Sequence, residues 1–276
     1  NPEPCWLIST FIQSTNPEEV YIQSLTTDNY DENSEYVITL KEAFKDNPKF
    51  LRKYLYADWS ALDMINQLIS SEVIISSAER IENGLEVTSM GIDVARYGDD
   101  KTVFTILKNG NIELIESYEQ TSITEIVTRT IQLIHDYNID PNYVGIDSVG
   151  VGAGVVDNLK SAGYDVIELQ GGSKPEESQY EEAFLPFNLR SQMYYELRRD
   201  MMNGQIGNLT DETLKLELQS IQYEIYSDKK VKVISKEAIK KLLGRSPDYA
   251  DSLVYANWVK TYRGGIKWYM AISGGL

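Results

Sequence analysis

The chain has 276 residues, 42% of them hydrophobic, with 26 basic against 42 acidic side chains and a formal charge of -16. That composition suits a soluble globular protein of one large domain plus an extra segment, and excludes a chain disordered throughout. One cysteine, Cys5, and one histidine, His135, exclude a disulfide framework and a Cys/His zinc site, so any metal must be held by oxygen.

No apolar run approaches the ~18 residues of a membrane span, and the N-terminus lacks an initiator Met and a signal-peptide pattern, the mark of a fragment or a processed chain. Residues 1–85 mix Tyr and Asn among short helical stretches such as Tyr36–Phe44, with a polar loop over Thr27–Asn33. They read as a linker or a piece of a neighbouring domain.

From Glu86 the elements alternate regularly, the pattern of an α/β layer. Val87–Ala95 reads as a strand that sets one acid, Asp93, inside an apolar run, where an unpaired charge costs several kcal/mol and calls for an ion or ligand beside it. For this Asp alone, a turn cap or a pair with Arg96 is the plainer alternative. Gly98-Asp99-Asp100 is a turn, Lys101–Leu107 a second strand and Asn109-Gly110 a hairpin leading into a third, Asn111–Tyr118. The three form an antiparallel meander. Ser122 or Thr124 caps a helix to Tyr137 with Ile126, Thr130 and Ile134 along one face, and His135 late in it suits a surface or core edge.

Tyr143–Ser148 is a second strand that ends on a carboxylate, Asp147. The glycines at 150, 152 and 154 open a helix to Ala162, and Asp165–Leu169 is a further strand. Val155 breaks the G-x-G-x-x-G spacing of a dinucleotide site, so these glycines serve close approach of backbone instead. After a Glu-rich loop over Gly171–Pro186 come helices over Asn188–Met202 and Asp211–Tyr223. Tyr223–Tyr226 and Lys230–Ile234 then flank Ser227-Asp228-Lys229 as a β-hairpin with a basic tip. The run from Lys229 to Arg245 concentrates seven basic residues in an otherwise acidic chain, and its default reading, kept for Lys240 and Lys241, is a solvated face. Ser246-Pro247 starts a last helix that carries Asp248 and Asp251 on one face.

Asp93, Asp147 and Asp251 with Asp248 thus sit at the ends of separate elements, where a fold could gather them as hard oxygen ligands for magnesium or manganese. With Gly91-Ile92-Asp93-Val94-Ala95, Gly98-Asp99-Asp100-Lys101-Thr102, Gly145-Ile146-Asp147 and Leu243–Leu253, the chain resembles the C-terminal nuclease domain of the large terminase subunit of tailed bacteriophages. The resemblance covers about residues 86–262. It implies an RNase H-like α/β fold, a mixed sheet of three antiparallel strands then parallel strands, flanked by helices and with an added β-hairpin. On that reading residues 1–85 are a linker or remnant of the ATPase region, 86–262 the nuclease domain and 263–276 a C-terminal tail.

The resemblance further implies Asp93, Asp147 and Asp251 as the catalytic, metal-binding triad and Asp99 and Asp248 as accessory ligands. Two Mg2+ or Mn2+ ions would serve hydrolysis of double-stranded DNA during viral genome packaging. Arg190, Arg198, Lys229, Lys230, Lys232 and Arg245 are the candidate DNA-binding flanks, with weak sequence preference. The implied partners are DNA, the portal protein and the small terminase subunit, in the host cytoplasm, with no membrane. No G-x-x-x-x-G-K-[ST] loop exists in the chain, so ATP hydrolysis is not expected of it. Two competing readings are a sugar-kinase or actin-like ATP-binding fold and a non-catalytic assembly module of the packaging motor.

Overall fold

A computed structural model describes residues 24–43, 55–56, 66–81, 86–95, 100–176, 185–226 and 230–260, and the backbone of 262–263 and 266–267. Arg96, Asp99, Lys229 and most of the tail lie outside the described residues. Helix α1 (Thr26–Asn29) is a single turn inside the expected polar loop, and α2 (Glu35–Ala43) and α3 (Ser71–Ser76) follow.

The central sheet is built by β1 (Thr88–Asp93), β2 (Thr102–Lys108), β3 (Asn111–Tyr118), β4 (Val144–Asp147) and β5 (Ile167–Leu169), in the order β3-β2-β1-β4-β5. β1, β2 and β3 pair antiparallel, whereas β1–β4 and β4–β5 pair parallel. The parallel joints are made by crossover helices α4 (Ile123–Asp136) and α5 (Val151–Ser161). Of the two expected caps for α4, Ser122 serves, in a reciprocal capping box with Glu125.

Alternation along the central strands decides which face carries chemistry. Met90 and Ile92 of β1, Phe104 and Ile106 of β2, and Val144 and Ile146 of β4 pack on one side with Ile126, Leu133, Val155 and Leu159 of α4 and α5. The intervening residues, Ser89, Gly91 and Asp93, then Thr105, then Gly145 and Asp147, face the other way. That second face is polar and small, and across it lies α9 (Asp248–Val259), buried at every position but Tyr249. Its seat is made by missing atoms: a Cβ on Gly91 would stand 2.0 Å from the Ser252 carbonyl oxygen and 2.3 Å from the Ala256 nitrogen. Ser89 Oγ donates to the Ala256 carbonyl at 2.9 Å, and Thr105 and Ser252 hydroxyls meet at 2.6 Å.

Outside α9 lie α6 (Leu189–Met202) and α7 (Glu212–Ser220). Before and after them run β6 (Leu185–Pro186), β7 (Tyr223–Ile225) and β8 (Lys230–Val233), a small sheet in the order β6-β8-β7. The expected hairpin is its β7–β8 arm. Helix α8 (Lys236–Leu243), formed within the basic run, joins β8 to α9 and ends on Gly244 in the left-handed conformation. Leu68, Ile69 and Ile74 join the core on this side, so the packed body takes in residues N-terminal to 86.

Candidate metal centre

Asp93 ends β1 and Asp147 ends β4, each one residue beyond the paired Ile92 and Ile146 of adjacent parallel strands. The shared odd-numbered face brings both carboxylates to the N-terminal turn of α9, where Asp248 and Asp251 lie one turn apart. Helix α5 begins close behind Asp147: a Cβ on Gly152 would come within 1.7 Å of the Asp147 carbonyl oxygen, so one glycine of the series does serve close approach. The Val149 N–H holds Asp147 Oδ1 at 3.0 Å.

At the middle of these acids stands a residue that the sequence reading gave no role. Lys236 Nζ lies 3.0 Å from Asp93 Oδ1, 3.0 Å from Asp251 Oδ2 and 3.9 Å from Asp147 Oδ2. Nothing distinguishes Lys236 in the sequence from its neighbours in the basic run. Only the turn from β8 into α8, capped by Ser235, aims it inward.

Asp251 is gripped on its other oxygen. Tyr194 donates to Oδ1 at 2.8 Å and Arg190 Nη2 at 3.3 Å, while Arg190 Nη1 donates to the Ile234 carbonyl at 2.8 Å. Asp251 Oδ2, buried and without a hydrogen-bond partner, is left directed at Lys236. Arg190, expected on a DNA-facing flank, is therefore an internal clamp on Asp251: its pairing partner is a fully buried carboxylate, and its own side chain is only 12% exposed.

The charge state follows from this geometry. Burial drives Asp93 well above the ordinary carboxylate range, and neighbouring Asp251, Asp248 and Asp147 push the same way against Lys236. Burial likewise raises Asp147 and Asp248, although Asp248 accepts the Lys101 N–H at 2.9 Å. For Asp251 burial is outweighed by Lys236, Arg190 and Tyr194, which hold it low and ionised. Lys236 is raised in spite of burial by Asp251, Asp93 and Asp147, and keeps its proton. Four carboxyl groups thus face two cations, Lys236 and Arg190, and of the four Asp251 alone is held low; a bound divalent ion would favour the ionised form of the other three.

Among the described residues, no three acidic, His or Cys side chains close on one point as metal ligands. The aspartates close on the Lys236 ammonium instead. The donor set still fits a hard divalent cation: every group is a carboxyl, and the buried Asp251 Oδ2 has no partner but the Lys236 ammonium.

The remaining expected DNA contacts separate. Arg245 pairs with the buried Glu217, with Nε 3.4 Å from Oε1, while its side chain stays 37% exposed. Arg198 stands two helical turns, about 12 Å, beyond Arg190 along α6. Lys230 and Lys232 share the outer face of β8, opposite buried Val231 and Val233. Beside them, Phe187 and Tyr226 stack at 5.2 Å, with the Lys232 ammonium 4.9 Å from the Phe187 ring centre. Lys240, read as solvated, pairs with Asp100 at 2.7 Å.

A meander continued by two parallel strands, with a helix laid over its carboxylate face, defines an RNase H-like fold. The chain is similar in structure to the nuclease domain of the large terminase subunit gp2 of bacterial virus Sf6, at a TM-score of 0.59 and 20% identity over 69% of this chain and 97% of that one. A mutant of that Sf6 domain with calcium aligns at a TM-score of 0.59 and 20% identity, over 69% and 98% of the two chains. The mutant with manganese and beta-thujaplicinol aligns at 0.59 and 19%, over 69% and 97%. No family model matches the chain, and no curated protein matches it in sequence.

Proposed function

We propose that this chain is a metal-dependent endonuclease that hydrolyses phosphodiesters of double-stranded DNA, the cutting unit of a viral genome-packaging motor. The observation that carries the reading is the convergence of Asp93, Asp147 and Asp251, from two strand ends and a helix, on a single cation, the Lys236 ammonium. The fold shared with terminase nuclease domains supports it.

In this reading Asp93, Asp147 and Asp251 hold Mg2+ or Mn2+, with Asp248 and Asp99 as accessory ligands. Two ions so held would lower the pKa of an attacking water and neutralise charge on the leaving 3' oxygen. The protein's own share is positional. Arg190 and Tyr194 occupy Asp251 Oδ1, so that Oδ2 alone is offered to a ligand. Lys236 keeps the carboxylates together without metal, and once displaced its ammonium stands beside the site as a partner for a phosphate oxygen. Lys230, Lys232, Lys229 and Arg198 remain the candidates for contacts along the DNA backbone. The portal protein and the small terminase subunit are the proposed partners, in the host cytoplasm.

The test is digestion of supercoiled plasmid with manganese or magnesium, against a chelator control. Nicking that requires the ion supports the reading. No cleavage together with no manganese binding would leave a scaffold role for the fold.

A further inference from the structure

The first turn of α9 carries two carboxylates of the centre, yet its own sequence cannot cap it. Pro247 stands at the cap position and offers no side-chain acceptor. Ser246 is turned away, its hydroxyl donating to Asp100 Oδ1 at 2.8 Å. The Asp251 N–H closes on the Pro247 carbonyl at 2.9 Å, which leaves the Ala250 N–H, on a fully buried residue, in need of an acceptor from elsewhere. Glu217, from the middle of α7, supplies it: Oε2 accepts from Ala250 N at 2.9 Å. Its other oxygen faces Arg245, two residues before Pro247.

Glu217 is itself fully buried, on a helix whose Leu214, Leu216 and Leu218 are core residues. A carboxyl group there costs desolvation that an apolar side chain would not. The group accepts a hydrogen bond from one backbone N–H and lies 3.4 Å from one guanidinium nitrogen, both at the entrance to the same helix. Asp251 has a separate anchor in Arg190 and Tyr194, whereas Asp248, at the first helical position, is tied to the sheet through the Lys101 N–H.

We infer that Glu217 is a positioning residue of the metal centre: it caps α9 in trans and, with Arg245, fixes the turn that sets Asp248 against Asp93. The inference rests on the metal-nuclease reading. An ion binds only the ordered first turn, so loosening that turn lowers apparent affinity by the fraction of time it is ordered.

The experiment compares Glu217→Met, which keeps bulk and removes the acceptor, with Glu217→Gln, whose amide oxygen can still accept from Ala250. Manganese binding is measured by calorimetry without DNA, then the manganese dependence of plasmid nicking, with melting curves to confirm folding. Glu217→Met is expected to weaken manganese binding roughly fivefold, the factor that loss of an N-cap carries. It should raise the half-saturating manganese for nicking by the same factor and leave kcat at saturating metal within about twofold of the parent, and Glu217→Gln should restore both. If the Met variant does not fold, Glu217→Asp, whose carboxylate falls short by about 1.5 Å, should show the same loss in smaller measure. Parent-like manganese affinity in the folded Met or Asp variant overturns the inference, and so does a Gln variant as impaired as Met. A parent that neither binds manganese nor nicks overturns the nuclease reading and this inference with it, whereas a parent that does both beside an unaffected variant overturns only the inference.

Discussion

Replacing Lys236 with Ala removes the one charge around which the acid centre is folded. Its ammonium makes contacts of 3.0 Å to Asp93 and 3.0 Å to Asp251. Each is worth about 5 kcal/mol by Coulomb's law at an effective dielectric constant of ~20, before the desolvation of both partners offsets most of it. Truncating one member of a buried ionic cluster costs about 3 to 5 kcal/mol. With the Lys236 side chain 32% exposed, the lower end, about 3 kcal/mol, applies. For a domain of this size that is a drop of roughly 10 °C in Tm in the presence of a chelator. A divalent ion supplies the same charge without the lysine, and at a hundredfold excess over Kd it contributes about 2.7 kcal/mol. Lys236→Ala should therefore melt well below the parent in chelator and within a few degrees of it in millimolar manganese. Manganese should also bind the variant more tightly, because no ammonium has to be displaced. Melting curves with and without manganese, plus calorimetric titration, read all three outcomes. Equal melting in chelator would show that Lys236 does not hold the carboxylates together, and a gap that survives saturating manganese would show that the ion does not take its place.

Asp93→Ala, Asp147→Ala and Asp251→Ala are each expected to abolish plasmid nicking while leaving circular dichroism unchanged, and full activity in any one of them removes that residue from the triad. Glu217 has a folded-state pKa pushed by burial from 4.5 up to about 8, only partly opposed by the Ala250 N–H and Arg245. The folded chain therefore binds the extra proton between those values, so this contribution to stability is fully present below about pH 4.5 and lost as pH rises through about 8. Its ceiling is roughly 4 to 5 kcal/mol; Glu217→Gln should flatten the decline in unfolding free energy from pH 5 to 8, and an unchanged decline would assign it to other groups. Lys230→Gln with Lys232→Gln, in an Asp93→Asn background that prevents cutting, should reduce the slope of log affinity against log salt by about 2 if both lysines touch phosphate. An unaltered slope places the duplex elsewhere.

The sheet was legible because its signals are local. A strand that ends on a lone acid, a hairpin turn at Asn109-Gly110 and a capped helix after Ser122 are each complete within about a dozen residues, and each stands where expected. The acids themselves could be proposed for the same reason, and the structure gathers Asp93, Asp147, Asp248 and Asp251 at one end of the sheet. What holds them was not legible. Lys236 reaches Asp93 across 143 positions, Arg190 reaches Asp251 across 61, and Glu217 meets Ala250 across 33. In one dimension each is an ordinary charged residue on an ordinary helix. Nothing in the sequence separates Arg190 and Arg245 from solvated cations, yet each pairs with a buried acid, Asp251 and Glu217.

The bare Cα at position 91 couples two properties that are usually inherited separately. The spacing between Asp93 and Asp251 is set by how closely a helix can lie against a strand, and that closeness is the absence of a single methyl group. A lineage that acquired even alanine there would lift the helix, and the carboxylate on it would leave its neighbours at the same moment as the core opened. Drift in the interior of this protein is therefore not silent with respect to its chemistry. The packing of Ser89, Gly91 and Thr105 against one helix works as a ruler for the acid centre, and selection on either would be felt as selection on both.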